Sequence, residues 1–213
     1  MPGGKGGQML GAVLCTLGWM GTIMVCALPQ WKVRVSADPF IQTRQATWEG
    51  IWMGCVIQST GQIHCKVFNS TLVPSSDLLT TRALIIASIL LGTLASLLCL
   101  AGSKCTNCVR DQGTKIKICV ASGVFFILAG VLCLIPVCWT ANSVIRDLSH
   151  PVYFSGRAEK TKLGAALFIG WVSSALLIIG GALLGGAFLC ANCPPKDYYP
   201  TKSPPSSAPN NFT

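Results

Sequence analysis

Cys55 and Cys65 stand in a polar stretch with a loop-length interval between them, and two thiols so placed can close a disulfide, which persists in an oxidising compartment. Four further cysteines form two CxxC pairs, Cys105 with Cys108 and Cys190 with Cys193, each beside a long apolar block. Such pairs can hold a tetrahedral zinc ion or, next to a membrane, can carry S-acyl chains. Other reactive chemistry is sparse. His64 and His150 are the only histidines, no Ser/His/Asp or metal-ligand pattern is evident, and no glycine-rich phosphate loop follows a strand. These residues point away from an enzyme, and neither a cofactor nor a resident metal is expected.

The elements that position the cysteines follow from charge. Only 11% of the residues are charged and 51% are hydrophobic, against about a quarter charged in an ordinary soluble domain. Four blocks without charge, 9–28, 83–103, 118–145 and 163–193, are each long enough for a helix crossing about 30 Å of hydrocarbon. The last two exceed the minimum and should tilt or project. Val25-Cys26-Ala27 would also pass as a leader cleavage site, but the first apolar run is longer than a typical signal core and only Lys5 charges its front. With four spans, the N-terminus (1–8), the short segment 104–117 and the tail 194–213 share one side. Segments 29–82 and 146–162 share the other. Lys104, Arg110, Lys115 and Lys117 crowd the short segment and place it in the cytoplasm. The spans contain no ionisable residue, which argues against a transporter or a transmembrane channel. The Pro-rich and Ser-rich tail should be disordered.

Segment 29–82 is extracellular on two further grounds: the Cys55/Cys65 pair and the glycosylation sequon Asn69-Ser70-Thr71. Its runs Trp31 to Val35, Gly50 to Ile57 and Ile63 to Phe68 are rich in strand formers. Ser59-Thr60-Gly61-Gln62 separates the last two, predicting a hairpin with the cysteines opposite each other. The expected fold is membrane α+β: a left-handed four-helix transmembrane bundle carrying a small extracellular antiparallel β-sheet pinned by one disulfide. Trp31 and Trp52 suit the membrane interface, where an amphipathic indole would anchor the sheet. Gly181-Ala182-Leu183-Leu184-Gly185 is a small-xxx-small pattern for close helix approach, and packing within the bundle is its expected use.

The run Trp31, Gly50-Ile51-Trp52, Cys55 and Cys65, lying between the first two of four spans, resembles the W-GLW-C-C signature of the claudins, with Ile51 in the Leu place. Gly18-Trp19, Arg82, Cys105-Thr106-Asn107-Cys108 and Pro136-Val137-Cys138-Trp139-Thr140 also look like claudin positions. The resemblance spans about residues 9 to 194. It implies a structural protein of tight-junction strands at the plasma membrane of epithelial or endothelial cells. Such proteins assemble with other claudins in cis and in trans into a paracellular barrier with charge-selective ion permeability. It also implies a five-stranded sheet, four strands from the first extracellular segment and one from the second. A related four-span channel auxiliary subunit or adhesion protein is the alternative.

Residue by residue, the resemblance makes Lys66, preceded by His64, the position that tunes ion selectivity. A lysine there would give a cation barrier or an anion-preferring pore. The other extracellular charges leave that side net positive. Thr71, with its neighbour Leu72, and Leu148 fall at lateral-assembly positions, and His150, Pro151, Val152 and Tyr153 at the trans-contact turn. That turn departs from the Asn-Pro-Leu-Val pattern tied to clostridial enterotoxin, so toxin recognition is not expected. Cys105, Cys108, Cys190 and Cys193 match sites of palmitoylation, placing them against membrane lipids. The final Phe212-Thr213 lacks the hydrophobic last residue that a PDZ domain takes, so PDZ scaffold proteins are not expected partners by that route. No nucleic acid is expected.

Overall fold

The structure is a computed structural model and describes residues 3–37, 44–57, 60–68, 76–102, 112–149 and 158–191. Four helices carry the chain's apolar blocks: α1 (Gly3–Ala27), α2 (Ser76–Gly102), α3 (Gln112–Ser149) and α4 (Ala165–Ala191). All four contain a stretch long and apolar enough to cross a membrane. Five strands lie between them: β1 (Lys32–Ala37), β2 (Arg44–Glu49), β3 (Met53–Ile57), β4 (Ile63–Val67) and β5 (Ala158–Leu163). They form one sheet in the order β4-β3-β2-β1-β5 with every neighbour antiparallel.

The helices run past the apolar spans on the sheet side. α2 starts at Ser76 rather than near Ala83, because polar residues outside hydrocarbon still extend a helix; Asp77 in its first turn also favours the helix dipole. α3 continues to Ser149, beyond the apolar block ending at Ile145. α4 begins at Ala165, since Leu163 is still the last residue of β5. The overhanging ends of α2 and α3 stand beside the base of the sheet.

Packing runs α1 on α4, α4 on α3 and α3 on α2, with α1 touching α2 more lightly. In lipid no hydrophobic force separates helix from tail, so close backbone approach and interhelical hydrogen bonds hold such a bundle. Both are present. Ser88 Oγ on α2 donates to the Ala129 carbonyl (2.7 Å), and Ser122 Oγ on α3 donates back to Ala95 (2.9 Å). A Cβ on Gly181 would stand 2.6 Å from the Gly123 carbonyl, so the small-residue pattern of α4 is used against α3, inside the bundle. Outward, Leu17, Leu90, Leu97, Val172 and their like stay exposed and apolar, which suits lipid rather than water.

Candidate functional site

The signature residues converge where sheet meets bundle. Trp31 follows α1 after a short linker, and its indole drops into a core of Val25, Ile85, Val137 and Leu167, one from each helix, with Ile51 from the sheet's β2/β3 turn. It is 3% exposed, and its Nε1–H, which burial would otherwise leave unpaired, donates to the Val25 carbonyl at 3.0 Å. The interfacial-anchor reading of Trp31 is therefore corrected: the ring closes the top of the bundle and does not face lipid. A sequence cannot show which tryptophan a helix end will cover.

Gly50-Ile51-Trp52 is the turn joining β2 to β3, with the Gly50 N–H donating to the Met53 carbonyl at 2.9 Å. A Cβ on Gly50 would lie 2.5 Å from Pro29 Cα, so the glycine is required by that close approach. Ile51 is buried beside Trp31, whereas Trp52 is partly exposed. Arg82 on α2 clasps the turn twice: its Nε donates to the Ile51 carbonyl (2.7 Å) and its guanidinium stacks 4.8 Å from the Trp52 ring centroid. The spaced signature is one device, a plug and a clasp fixing the sheet to the helix ends.

Above that junction Cys55 and Cys65 are register partners and are joined by the disulfide, as the hairpin reading requires. Residues directly opposite in an antiparallel sheet share a face. One row therefore runs Lys66, Gly54, Glu49, Lys32, Leu163 across all five strands, and the next runs His64, Val56, Thr47, Arg34, Thr161. Lys66, His64, Lys32 and Arg34 thus lie on one face. Two carboxylates share that face, Glu49 and, opposite Ser36 on β5, Glu159; Arg34 pairs with Glu49 at 3.3 Å, and Lys32 Nζ donates to Ser143 Oγ on α3 at 3.2 Å. Lys66 has no ion pair among the described residues and lies on β4, every residue of which is exposed. The neutralising Arg34–Glu49 pair had no signal in the sequence, because only the register brings Glu49 beside that arginine.

Leu148 lies in the last turn of α3 and is exposed, near exposed Ile145. Cys190 lies in the last turn of α4. Asn69, Thr71, Leu72, His150, Pro151, Val152, Tyr153, Cys105, Cys108 and Cys193 fall outside the described residues. Among the described residues no group of His, Cys, Asp and Glu could hold a metal ion.

The family model described as PMP-22/EMP/MP20/Claudin matches residues 5–184. The chain is similar to "Claudin-like protein ZF-A89" of Danio rerio, 50% identical over 96% of this chain and 97% of that protein. It is likewise similar to Claudin-4 of Bos taurus (48%, covering 94% of this chain and 93% of the relative) and to Claudin-3 of Mus musculus (47%, covering 97% and 93%). The chain belongs to the claudin family. It is a claudin-3/4-like, four-span protein of the tight-junction plasma membrane, structural rather than enzymatic, in a family whose members associate with one another.

Proposed function

We propose that this claudin makes the paracellular path selective against cations, as a cation barrier or an anion-preferring pore, with Lys66 as the residue that sets the sign. The observation that carries the reading is the basic face of the sheet. Lys66 shares a sheet face with Lys32, Arg34 and His64; of the two carboxylates on that face Glu49 is tied to Arg34 and Glu159 lies on β5 at the opposite edge, and Lys66 itself is exposed on edge strand β4. In a passage comparable in width to the Debye length of about 8 Å, a fixed positive charge repels cations and gathers anions. Leu148 serves lateral assembly, its exposed side chain at the end of α3 offering an apolar contact to a neighbouring copy.

The test is Lys66→Asp expressed in an epithelial monolayer. Sodium permeability relative to chloride should rise, read as a shift in dilution potential. An unchanged dilution potential with normal junctional delivery sinks the assignment.

A further inference from the structure

The extracellular overhang of α2 and α3 leaves a cleft against the base of the sheet. Three adjoining cavities fill it, and Asp77 and Trp139 line every one of them. The upper cavity, of about 240 Å³, lies between the sheet and the helix ends, with Lys32, Arg34 and Glu49 on the sheet wall and Asp77 and Trp139 on the helix wall. Of the other two, one follows the α2/α3 seam past Leu84 and Ile135, into the apolar part of the spans, and one runs along α3 from Ile135 up to Arg146 and Asp147.

Trp139 is 60% exposed, the largest member of the outward stripe of α3 that also carries Val131 and Ile135. It lies ten residues before the end of α3, roughly 15 Å of rise, and an indole near the extracellular end of a span suits the headgroup region. The charges of the upper cavity are of both signs and are separated. Lys32 and Arg34 come from the sheet wall, where Glu49 pairs with Arg34 and leaves the wall with one positive charge in excess; Asp77 comes from the helix, and the buried Nε of Arg34 has no hydrogen-bond partner among the described residues. A simple anion would meet the Asp77 carboxylate, and a simple cation would meet Lys32 and Arg34. A zwitterion satisfies both walls.

From this geometry we infer that the cleft binds one membrane phospholipid bearing a phosphocholine headgroup. Its phosphate lies toward Lys32 and Arg34, its quaternary ammonium lies against the Trp139 indole beside Asp77, and an acyl chain follows the seam past Leu84 and Ile135. An indole face is the best aromatic partner for a quaternary ammonium, and the nearby carboxylate adds to the attraction. The lipid would fill the wedge between sheet and bundle and so help fix the angle of the sheet. This goes beyond the selectivity reading and does not depend on Lys66.

The test uses the full chain in nanodiscs containing equal amounts of phosphatidylcholine, phosphatidylethanolamine and phosphatidylglycerol, followed by native mass spectrometry of the released protein. Phosphatidylcholine should be the retained lipid, by roughly fivefold over either competitor, the factor a single cation–π contact supplies. Trp139→Leu and Asp77→Asn should each lower that retention by a similar factor, and Trp139→Phe should keep part of it. Leu97→Ala, on the exposed apolar face of α2 away from the cleft, should change nothing. Equal retention of the three lipids overturns the proposal, as does preference for the anionic lipid or undiminished retention in both Trp139→Leu and Asp77→Asn. Cross-links from the cleft to a second copy of the chain in place of lipid would also overturn it. Unchanged helical circular dichroism in the variants separates lost binding from lost fold.

Discussion

The signature turn and strand β4 are both short extracellular pieces of one sheet, yet they differ in what holds their residues. At the turn, Trp31 and Ile51 are 3% and 2% exposed, and Arg82 makes two specific contacts, so each side chain is dictated by its neighbours. On β4 every residue is exposed, and apart from Cys65 the side chains owe little to packing. The first region can tolerate almost no change and can encode almost nothing. The second can vary without disturbing the fold, and it is where a claudin can carry its own electrostatic character. Substitutions on either side of this divide should behave differently.

The largest effect is expected at the plug. Trp31→Ala empties the top of the bundle and leaves the Val25 carbonyl without its donor, a loss of about 3–5 kcal/mol. Thermal unfolding in detergent should move sharply down and surface delivery should fall. A wild-type melting profile would break the comparison, because it would make the junction as permissive as β4. Next comes the disulfide that joins the two regions. Cys65→Ser should cost about 2–4 kcal/mol, with helical circular dichroism retained at low temperature and the sensitivity of the melt to reducing agent abolished. Arg82→Ala removes the hydrogen bond to Ile51 and the stack on Trp52, for roughly 1–3 kcal/mol. Arg82→Lys should recover only part of that, since an ammonium cannot reproduce the planar fork.

The same divide explains what could be read in the sequence. Four uncharged blocks fix four spans because lipid admits no other backbone arrangement of that length. The cysteine hairpin was legible because β3 and β4 carry strand formers around a glycine turn. β2 and β5 were not legible from their residues: Arg-Gln-Ala-Thr-Trp-Glu alternates only over Ala46 and Trp48, Ala-Glu-Lys-Thr-Lys-Leu shows no apolar alternation, and pairing to β1 and, for β2, also to β3 makes them strands. The five-stranded sheet was expected through family resemblance alone. The burial of Trp31, the Arg34–Glu49 pair and the cleft at Asp77 and Trp139 all depend on contacts between elements far apart in sequence. Local pattern carries no trace of them.

The smallest change in stability should accompany the largest change in selectivity. Lys66→Gln and Lys66→Asp replace an exposed side chain with no ion pair among the described residues, so melting temperature should stay at the wild-type value. The dilution potential should move stepwise as the position passes from positive to neutral to negative. Lys32→Gln is the sharper control, because Lys32 occupies the same cross-strand row but is held to Ser143 of α3. If selectivity follows exposure on the edge, Lys32→Gln shifts it less than Lys66→Gln while lowering stability slightly more. Equal shifts would mean that the whole row, and not the outermost strand, sets the field. The division between a fixed junction and a free edge would then have to be redrawn along the face of the sheet.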